Sequence, residues 1–386
     1  MGGNEPRSLS ERAVDRTAHP FHMWDGIEAA PDILRGCLAG EVAEAAARVG
    51  REIKSRGIKR VYLLGCGTSY FASMSIGAAL AELGGIDADA YNGFEFGRYK
   101  VNSIGPSSAV IAVSHTGHTR VDVEAIEAAK RKGAMTVCLT DVAESPLAHT
   151  ADFVVPGVGG MDPAIPKTRS YLASLVKGYL IAAYTGRDED AAQKALSEMG
   201  EIPGLLGDMK PMTPRLKDLA ERYAGYERIM VVGGGPNAQT AMEVALKFKE
   251  AALTPAEGLE IEESIHGPEV MLDEKTLLVT LLTPGPSLGK IRDLCRAAQV
   301  IGASVLNVTT APYTAIPDDT GAGDITTVEL MAPGIREYFT PPLLAYPMQM
   351  MVYWMSLARG INPDLKRTDV PKYRQAIDIV MPPGSH

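Results

Sequence analysis

The sequence predicts an α/β protein made of two doubly wound parallel sheets, flavodoxin-like and related by internal duplication. Three observations carry this. Apolar runs such as Val61–Leu64 end in glycine and are too short for helices, as buried parallel strands are. Stretches with helical spacing alternate with them. Finally, Ile229-Met230-Val231-Val232-Gly233-Gly234-Gly235-Pro236-Asn237 lies over Val61-Tyr62-Leu63-Leu64-Gly65-Cys66-Gly67-Thr68-Ser69 at an offset of 168 residues. At the same offset Leu277–Ser287 lies over Ala109–Thr119, and two distant stretches in one register mark a duplication.

Residues 1 to about 20 read as a polar lead-in. Helical spacing begins near Trp24, continues beyond Pro31 and reaches Ile53. Val61–Leu64 is the first strand and Tyr70–Leu83 an alanine-rich helix. Ala88–Tyr91 and Ala109–Val113 are strands, Val121–Lys132 a helix, Thr136–Leu139 and Phe153–Val155 strands, and Arg169–Tyr184 a long helix. The second half repeats the pattern: helix 213–225, strand 228–232, helix 238–252, strand 277–281, helix 288–300, strand 304–308 and helix 341–358. Gly200–Pro214, with Pro203, Pro211 and Pro214, reads as a linker. The expected organisation is a helical lead-in (1–50), a first domain (51–205), a second domain (206–359) and a C-terminal arm (360–386).

A chain of 386 residues can bury two cores. Its net charge of −9, with no basic run, argues against a nucleic-acid partner held by a broad electrostatic footprint. It does not exclude a small anion, which backbone amides can bind locally. No apolar run approaches membrane-spanning length, and Met1–Asp15 lacks the apolar core of a signal peptide. Cys37, Cys66, Cys138 and Cys295 form no CxxC pair and read as reduced thiols, so a cytoplasmic protein is expected.

Ser114-His115-Thr116-Gly117-His118-Thr119 follows a strand and precedes a helix. Ligands bind at strand C-termini in open α/β sheets, and a helix N-terminus offers free amides and partial positive charge. Hydroxyls spaced S-x-T-G-x-T can wrap the oxygens of a phosphate. A plain N-cap by Thr119 is the alternative, but capping needs one hydroxyl and this loop has three plus a glycine. Gly65-Cys66-Gly67-Thr68-Ser69 makes a second turn of the same kind. Neither is a P-loop, and the third glycine of a dinucleotide fingerprint would fall on Tyr70, so no cofactor is expected. In the second copy Ser114 becomes Leu282 and Thr116 becomes Pro284. One half therefore reads as binding and the other as reacting.

Glu243, Lys247 and Glu250 fall on one helix stripe. The trio reads equally as a solvated face with an i,i+4 ion pair. His266 sits in the turn-forming stretch Ser264-Ile265-His266-Gly267-Pro268, where a histidine is often a plain surface residue. A glutamate and a histidine together can divide acid–base work near neutrality. No metal is expected: His115-x-x-His118 is a histidine pair at ligand spacing, and it reads as loop chemistry.

Gly65–Ser69, Ser114–Thr119, Ala245-Leu246-Lys247-Phe248-Lys249-Glu250 and Ile265-His266-Gly267-Pro268 resemble the tandem sugar isomerase (SIS) domain proteins. The similarity is to the isomerase portion of glucosamine-6-phosphate synthase and its stand-alone relatives, and it spans roughly residues 20 to 375. The resemblance implies that Ser69, Ser114, His115, Thr116 and Thr119 contact a sugar phosphate, with Cys66, Gly67 and Thr68 beside them. It implies that Glu250 moves a proton between C1 and C2, that His266 helps open the ring from a partner subunit of a homodimer, and that Glu243 and Lys247 support them. Thr168, in Lys167-Thr168-Arg169, lies where the family has a second binding turn.

Departures from the family pattern carry expectations too. His115 and His118 stand where the family has glutamine and glutamate, and Lys167 replaces a serine. A more basic pocket follows, suited to an extra negative charge or a sulfonate. Ala376 falls where the synthase tail has a Schiff-base lysine, and Lys372 lies four residues early, so that chemistry is not expected. Neither is glutamine-dependent amination, because no glutamine-hydrolysing domain precedes residue 20. The resulting expectation is a sugar-phosphate isomerase or amino-sugar deaminase acting through an enediol or enolamine. A fructosamine-6-phosphate deglycase or a sulfosugar isomerase would use the same residues, and a non-catalytic sugar-phosphate sensor is a different class.

Overall fold

A computed structural model of the chain describes residues 16–186, 188–310, 323–332 and 334–382. The polar lead-in as far as residue 15 lies outside the described residues. The chain divides into two units, one running to Gly200 and including Asp364 onwards, the other spanning Glu201–Pro363.

Unit 1 begins with helices α1 (His22–Cys37) and α2 (Gly40–Ser55). Sequence spacing runs through both, but the chain breaks between them because Gly40 takes a positive φ of 56°, which ends helical geometry. There follow β1 (Arg60–Gly65), α3 (Thr68–Gly84), β2 (Asp87–Asn92), the short α4 (Gly93–Glu95), β3 (Ser108–Val113), α5 (Arg120–Arg131), β4 (Met135–Leu139), α6 (Pro146–Thr150), β5 (Phe153–Val155) and α7 (Arg169–Thr185). All strand pairs are parallel, in the order β2-β1-β3-β4-β5. Side chains alternate across the sheet. Tyr62, Leu64, Val110 and Ala112 form one core with Ala125, Ile126 and Ala129 of α5. On the unit's helical side α7 is buried along almost its whole length against α1, α2 and α3.

Helix α8 (Glu189–Met209) carries the chain across the unit boundary. The sequence marks this region as a linker, yet it stays helical through Pro203. Ala195, Met199, Ile202, Leu206 and Met209 are buried at alternating steps of four and three, and this stripe outweighs the proline and glycines.

Unit 2 contains α9 (Thr213–Tyr223), β6 (Arg228–Gly233), α10 (Pro236–Glu250), β7 (Ala256–Glu260), α11 (Ile261–Ser264), β8 (Thr276–Leu282), α12 (Leu288–Ile301), β9 (Ser304–Thr309), β10 (Ile325–Glu329) and α13 (Pro341–Ala358). Its strand order, β7-β6-β8-β9-β10, is that of unit 1, and all pairs are parallel. Both sheets have the doubly wound 2-1-3-4-5 order. The duplication reaches single residues. Leu63 pairs with Ile111, and Val231 pairs with Val279, each 168 residues on. Met230, Val232 and Leu278 face the α12 core as Tyr62, Leu64 and Val110 face the α5 core. Gly67 (φ 56°, ψ −125°) and Gly235 (φ 53°, ψ −131°) turn the chain identically into α3 and α10. The C-terminal helix α14 (Pro371–Val380) belongs to unit 1.

Candidate functional site

In unit 1 the strand order reverses between β1 and β3, which opens a crevice beyond their carboxyl ends. Leu64 pairs with Ala112, so the turn at Cys66 emerges beside the loop at Ser114. In that loop the Gly117 N–H donates to Ser114 Oγ at 3.1 Å, and the His118 N–H donates to Thr116 Oγ1 at 3.3 Å. Ser114 Oγ and Thr119 Oγ1 lie 3.4 Å apart. A hydroxyl oxygen that accepts an amide bond keeps its own hydrogen to donate outward. The loop thus gathers three hydroxyls around the N-terminus of α5, beyond the single hydroxyl a cap requires. Ser69, Thr68 and Gly67 sit across from it in the first turn of α3, Ser69 partly exposed.

His115 is placed differently from the family-based expectation. Its Nδ1 lies 2.8 Å from Asp141 Oδ2, and the Asp162 N–H donates to its Nε2 at 2.9 Å. An imidazole nitrogen that accepts carries no proton, which puts the ring hydrogen on Nδ1, donated to Asp141. Both ring nitrogens are used inside the protein, and the side chain does not present a donor to the crevice. The other Asp141 oxygen accepts from Lys177 Nζ at 2.8 Å, with the Lys177 side chain 1% exposed. Burial works to raise the Asp141 pKa, but the Lys177 charge and the His115 hydrogen bond outweigh it and hold the carboxyl well below its usual range. A buried Lys177–Asp141–His115 chain therefore braces the loop from behind.

The residues behind the expected basic pocket also make contacts within the protein. Lys167 Nζ donates to the carbonyls of Asp162 and Ala164, at 3.1 and 2.7 Å, and Lys177 is matched by Asp141. His118 Nδ1 turns onto the Thr116 carbonyl at 2.7 Å. Thr168 is fully buried at the N-cap of α7, its hydroxyl 2.7 Å from where a Gly26 Cβ would be. It packs against α1 and is not an open donor. Cys66 is 4.0 Å from Asp122 Oδ1, and burial together with that neighbour pushes its thiol up to about 12. It is no nucleophile at neutral pH. Lys372 is exposed on α14, its ammonium 5.4 Å from the Tyr373 ring centre.

In unit 2 the trio on α10 is buried, which rules out the solvated-face reading. Lys247 Nζ lies 2.6 Å from Glu250 Oε2 and 3.4 Å from Glu243 Oε1, with side-chain exposures of 1% for Lys247, 13% for Glu250 and 1% for Glu243. Burial alone would depress the Lys247 pKa, but Glu243 and Glu250 outweigh it and raise it. Glu250 thus faces a charged ammonium. Glu250 is the last residue of the helix and the most accessible of the three. His266 is 71% exposed, and its Nδ1 lies 2.7 Å from the Glu262 carbonyl. Nδ1–H is thus the donor, which leaves Nε2 free to accept a proton.

Sequence reasoning missed Asp141, Lys177 and Asp122. The available signal for Lys177 was a lone lysine inside the apolar run Leu172–Tyr184. Among the described residues no group of three or more His, Cys, Asp or Glu side chains is placed to hold a metal, and no helix is long and apolar enough to cross a membrane.

A glutamine–fructose-6-phosphate aminotransferase of Gloeobacter violaceus is 26% identical over 94% of this chain, which spans 60% of that relative's length. The fold is shared with the C-terminal domain of glucosamine-fructose-6-phosphate aminotransferase from Francisella tularensis (TM-score 0.79, 18% identity, 90% of this chain and 98% of that one). It is shared also with tagatose-6-phosphate ketose/aldose isomerase from Escherichia coli (TM-score 0.74, 19% identity, 91% of this chain and 96% of that one). The family model for the SIS domain matches residues 56–183 and again 223–359, together more than half of the chain. With the duplicated sheets and the loop at Ser114, this establishes that the chain belongs to the SIS domain family.

Proposed function

We propose that the chain is a sugar-phosphate isomerase or amino-sugar-phosphate deaminase that transfers a proton between C1 and C2 of an open-chain substrate. The observation that carries this is the Glu243–Lys247–Glu250 cluster, buried yet open at Glu250. Two carboxylates against one ammonium leave an excess buried negative charge that a simple structural ion pair does not require, whereas a base gains from a neighbour that keeps it ionised. Glu250 takes the proton from C2 of an aldose or amino sugar as O1 gains one, forming an enediol or enolamine, and returns it at C1 as the C2 oxygen or nitrogen loses a proton; with an amino sugar, water then adds to the C2 imine and ammonia leaves. The hydroxyls of Ser114, Thr116 and Thr119, with Ser69, hold the phosphate. His266 Nε2 moves the ring-oxygen proton as the sugar opens.

We also propose self-association into a homodimer in which His266 serves the partner copy. His266 is exposed on unit 2, with Val270 and Met271 nearby in sequence at 76% and 56% exposure. Apolar side chains displayed beside a proton-transfer group suit a surface that another copy covers.

Proton NMR in D2O with fructose 6-phosphate, glucose 6-phosphate and glucosamine 6-phosphate tests the reading. Deuterium should enter at C1 or C2 of one of them, and Glu250→Gln should bind that sugar but exchange at least about a thousandfold more slowly. A Glu250→Gln protein that still exchanges deuterium would remove Glu250 from the role. Wild-type binding without any exchange would favour a sensor.

A further inference from the structure

The crevice of unit 2 that corresponds to the Ser114 loop of unit 1 is already filled. It lies beyond β6 and β8, flanked by Gly233–Asn237 and Leu282–Ser287. The duplication has replaced two of its hydroxyls, with Leu282 and Pro284 in place of Ser114 and Thr116, but has kept Ser287 for Thr119 and its glycines, Gly235 for Gly67 and Gly285 for Gly117. Into this space comes the carboxylate of Glu337, from the single 3-10 turn before α13. Thr283 Oγ1 donates to Glu337 Oε1 at 2.8 Å. A Cβ on Gly285 would lie 2.7 Å from Oε2 and 2.8 Å from Oε1, and one on Gly235 would lie 3.7 Å from Oε1. The two glycines therefore leave a cradle that the carboxylate occupies, at the amino end of α10, where the helix dipole favours negative charge. The turn is fixed from below. Asn237 Nδ2 donates to Thr340 Oγ1 at 2.9 Å, and that hydroxyl donates to the Glu337 carbonyl at 2.7 Å.

We propose that this crevice is a second oxyanion site held shut by the chain's own carboxylate, Glu337, and that a phosphate-sized anion enters it when the carboxylate is removed. The inference rests on reading the Ser114 loop as an anion site, because the duplication is what equates the two crevices. Its consequence is that the wild-type chain takes one sugar phosphate in spite of having two copies of the fold. The opened site should bind phosphate about tenfold more weakly than the Ser114 loop, having lost two hydroxyl donors.

The test is titration calorimetry and thermal melting with inorganic phosphate at constant ionic strength. The proteins are wild type, Glu337→Ala, Ser114→Ala and the double variant. Glu337→Ala should bind one phosphate more per chain than wild type, and the double variant one more than Ser114→Ala. The Tm of Glu337→Ala should climb about 3 °C further than that of wild type as phosphate rises to about ten times its dissociation constant. A folded Glu337→Ala with the stoichiometry of its parent overturns the inference. Should Glu337→Ala not fold, Glu337→Ser empties the cradle while leaving a polar side chain on the turn. A phosphate-dependent Tm in it beyond that of wild type supports the inference, and indifference overturns it. Failure of the underlying reading looks different: Ser114→Ala would then bind phosphate as well as wild type does, whatever Glu337→Ala shows.

Discussion

Asp141 holds two buried partners, and neither is dispensable to the other. Asp141→Asn leaves the Lys177 ammonium without a counter-charge inside the protein, an expected loss of about 3 kcal/mol in urea unfolding. Adding Lys177→Met should recover part of that loss; strictly additive losses would show that the pair is not coupled. Asp122 behaves oppositely. Burial pushes its carboxyl from 3.8 up to about 7. A group raised in the folded state stabilises below its unfolded pKa, and this contribution fades as pH rises toward the folded value. Asp122→Asn should therefore be more stable than wild type above pH 7, by on the order of 2 kcal/mol, with the difference vanishing near pH 4. Unfolding midpoints at pH 4.5 and 8 read this directly, and a pH-independent difference would acquit Asp122. Asp141, lowered in the fold, gives up its contribution only in stronger acid, as pH falls through its depressed value.

At the scale of elements, the strand-to-helix turns decide whether each crevice exists. A Cβ on Gly65 would stand 2.6 Å from the Ser69 carbonyl carbon, and one on Gly233 would stand 2.1 Å from the Asn237 oxygen. Both are backbone atoms and cannot step aside. Gly65→Ala and Gly233→Ala should each cost about 3 kcal/mol or more, and Gly65→Ala should also weaken phosphate binding. Gly57, with φ 62° and nothing within 4 Å of an added Cβ, is the control. Its alanine variant should cost only about 1 kcal/mol, from backbone preference alone. Equal losses at Gly57 and Gly65 in denaturant titration would refute the steric argument. The element hardest to read from sequence was α8, where prolines and glycines promise a linker but a buried stripe keeps the helix. Strands β7 and β10 were missed because they are partly exposed edges with polar residues, AEGLE and ITTVE.

For the whole molecule, the two units share one sheet order and register but not one chemistry: hydroxyls gather in unit 1, while buried carboxylates and Lys247 gather in unit 2. If His266 serves a partner copy, inactive Glu250→Gln and inactive His266→Ala subunits should recover activity when mixed and exchanged, because half of the hybrid dimers' sites regain both groups. Mixed dimers verified by mass spectrometry that remain inactive would show that each chain supplies both residues to its own site.

The sequence by itself determined the fold class, the duplication and the residue types that could do chemistry, because strand length, helical period and glycine punctuation are local properties. Ser114, Thr116 and Thr119 stood out in this way, whereas Glu250 and His266 were singled out as reacting groups through the resemblance to the SIS family. The tertiary structure decided what local pattern cannot. It showed that the Glu243–Lys247–Glu250 stripe is buried and not solvated, since burial depends on what packs over a helix face. It turned His115 inward, because Asp141 lies 26 residues along the chain and Lys177 another 36. It also set Glu337 in the second crevice, through a bond to Thr283 that spans 54 residues. Charge partners of that kind are contributed by different elements, and only folding brings them within reach.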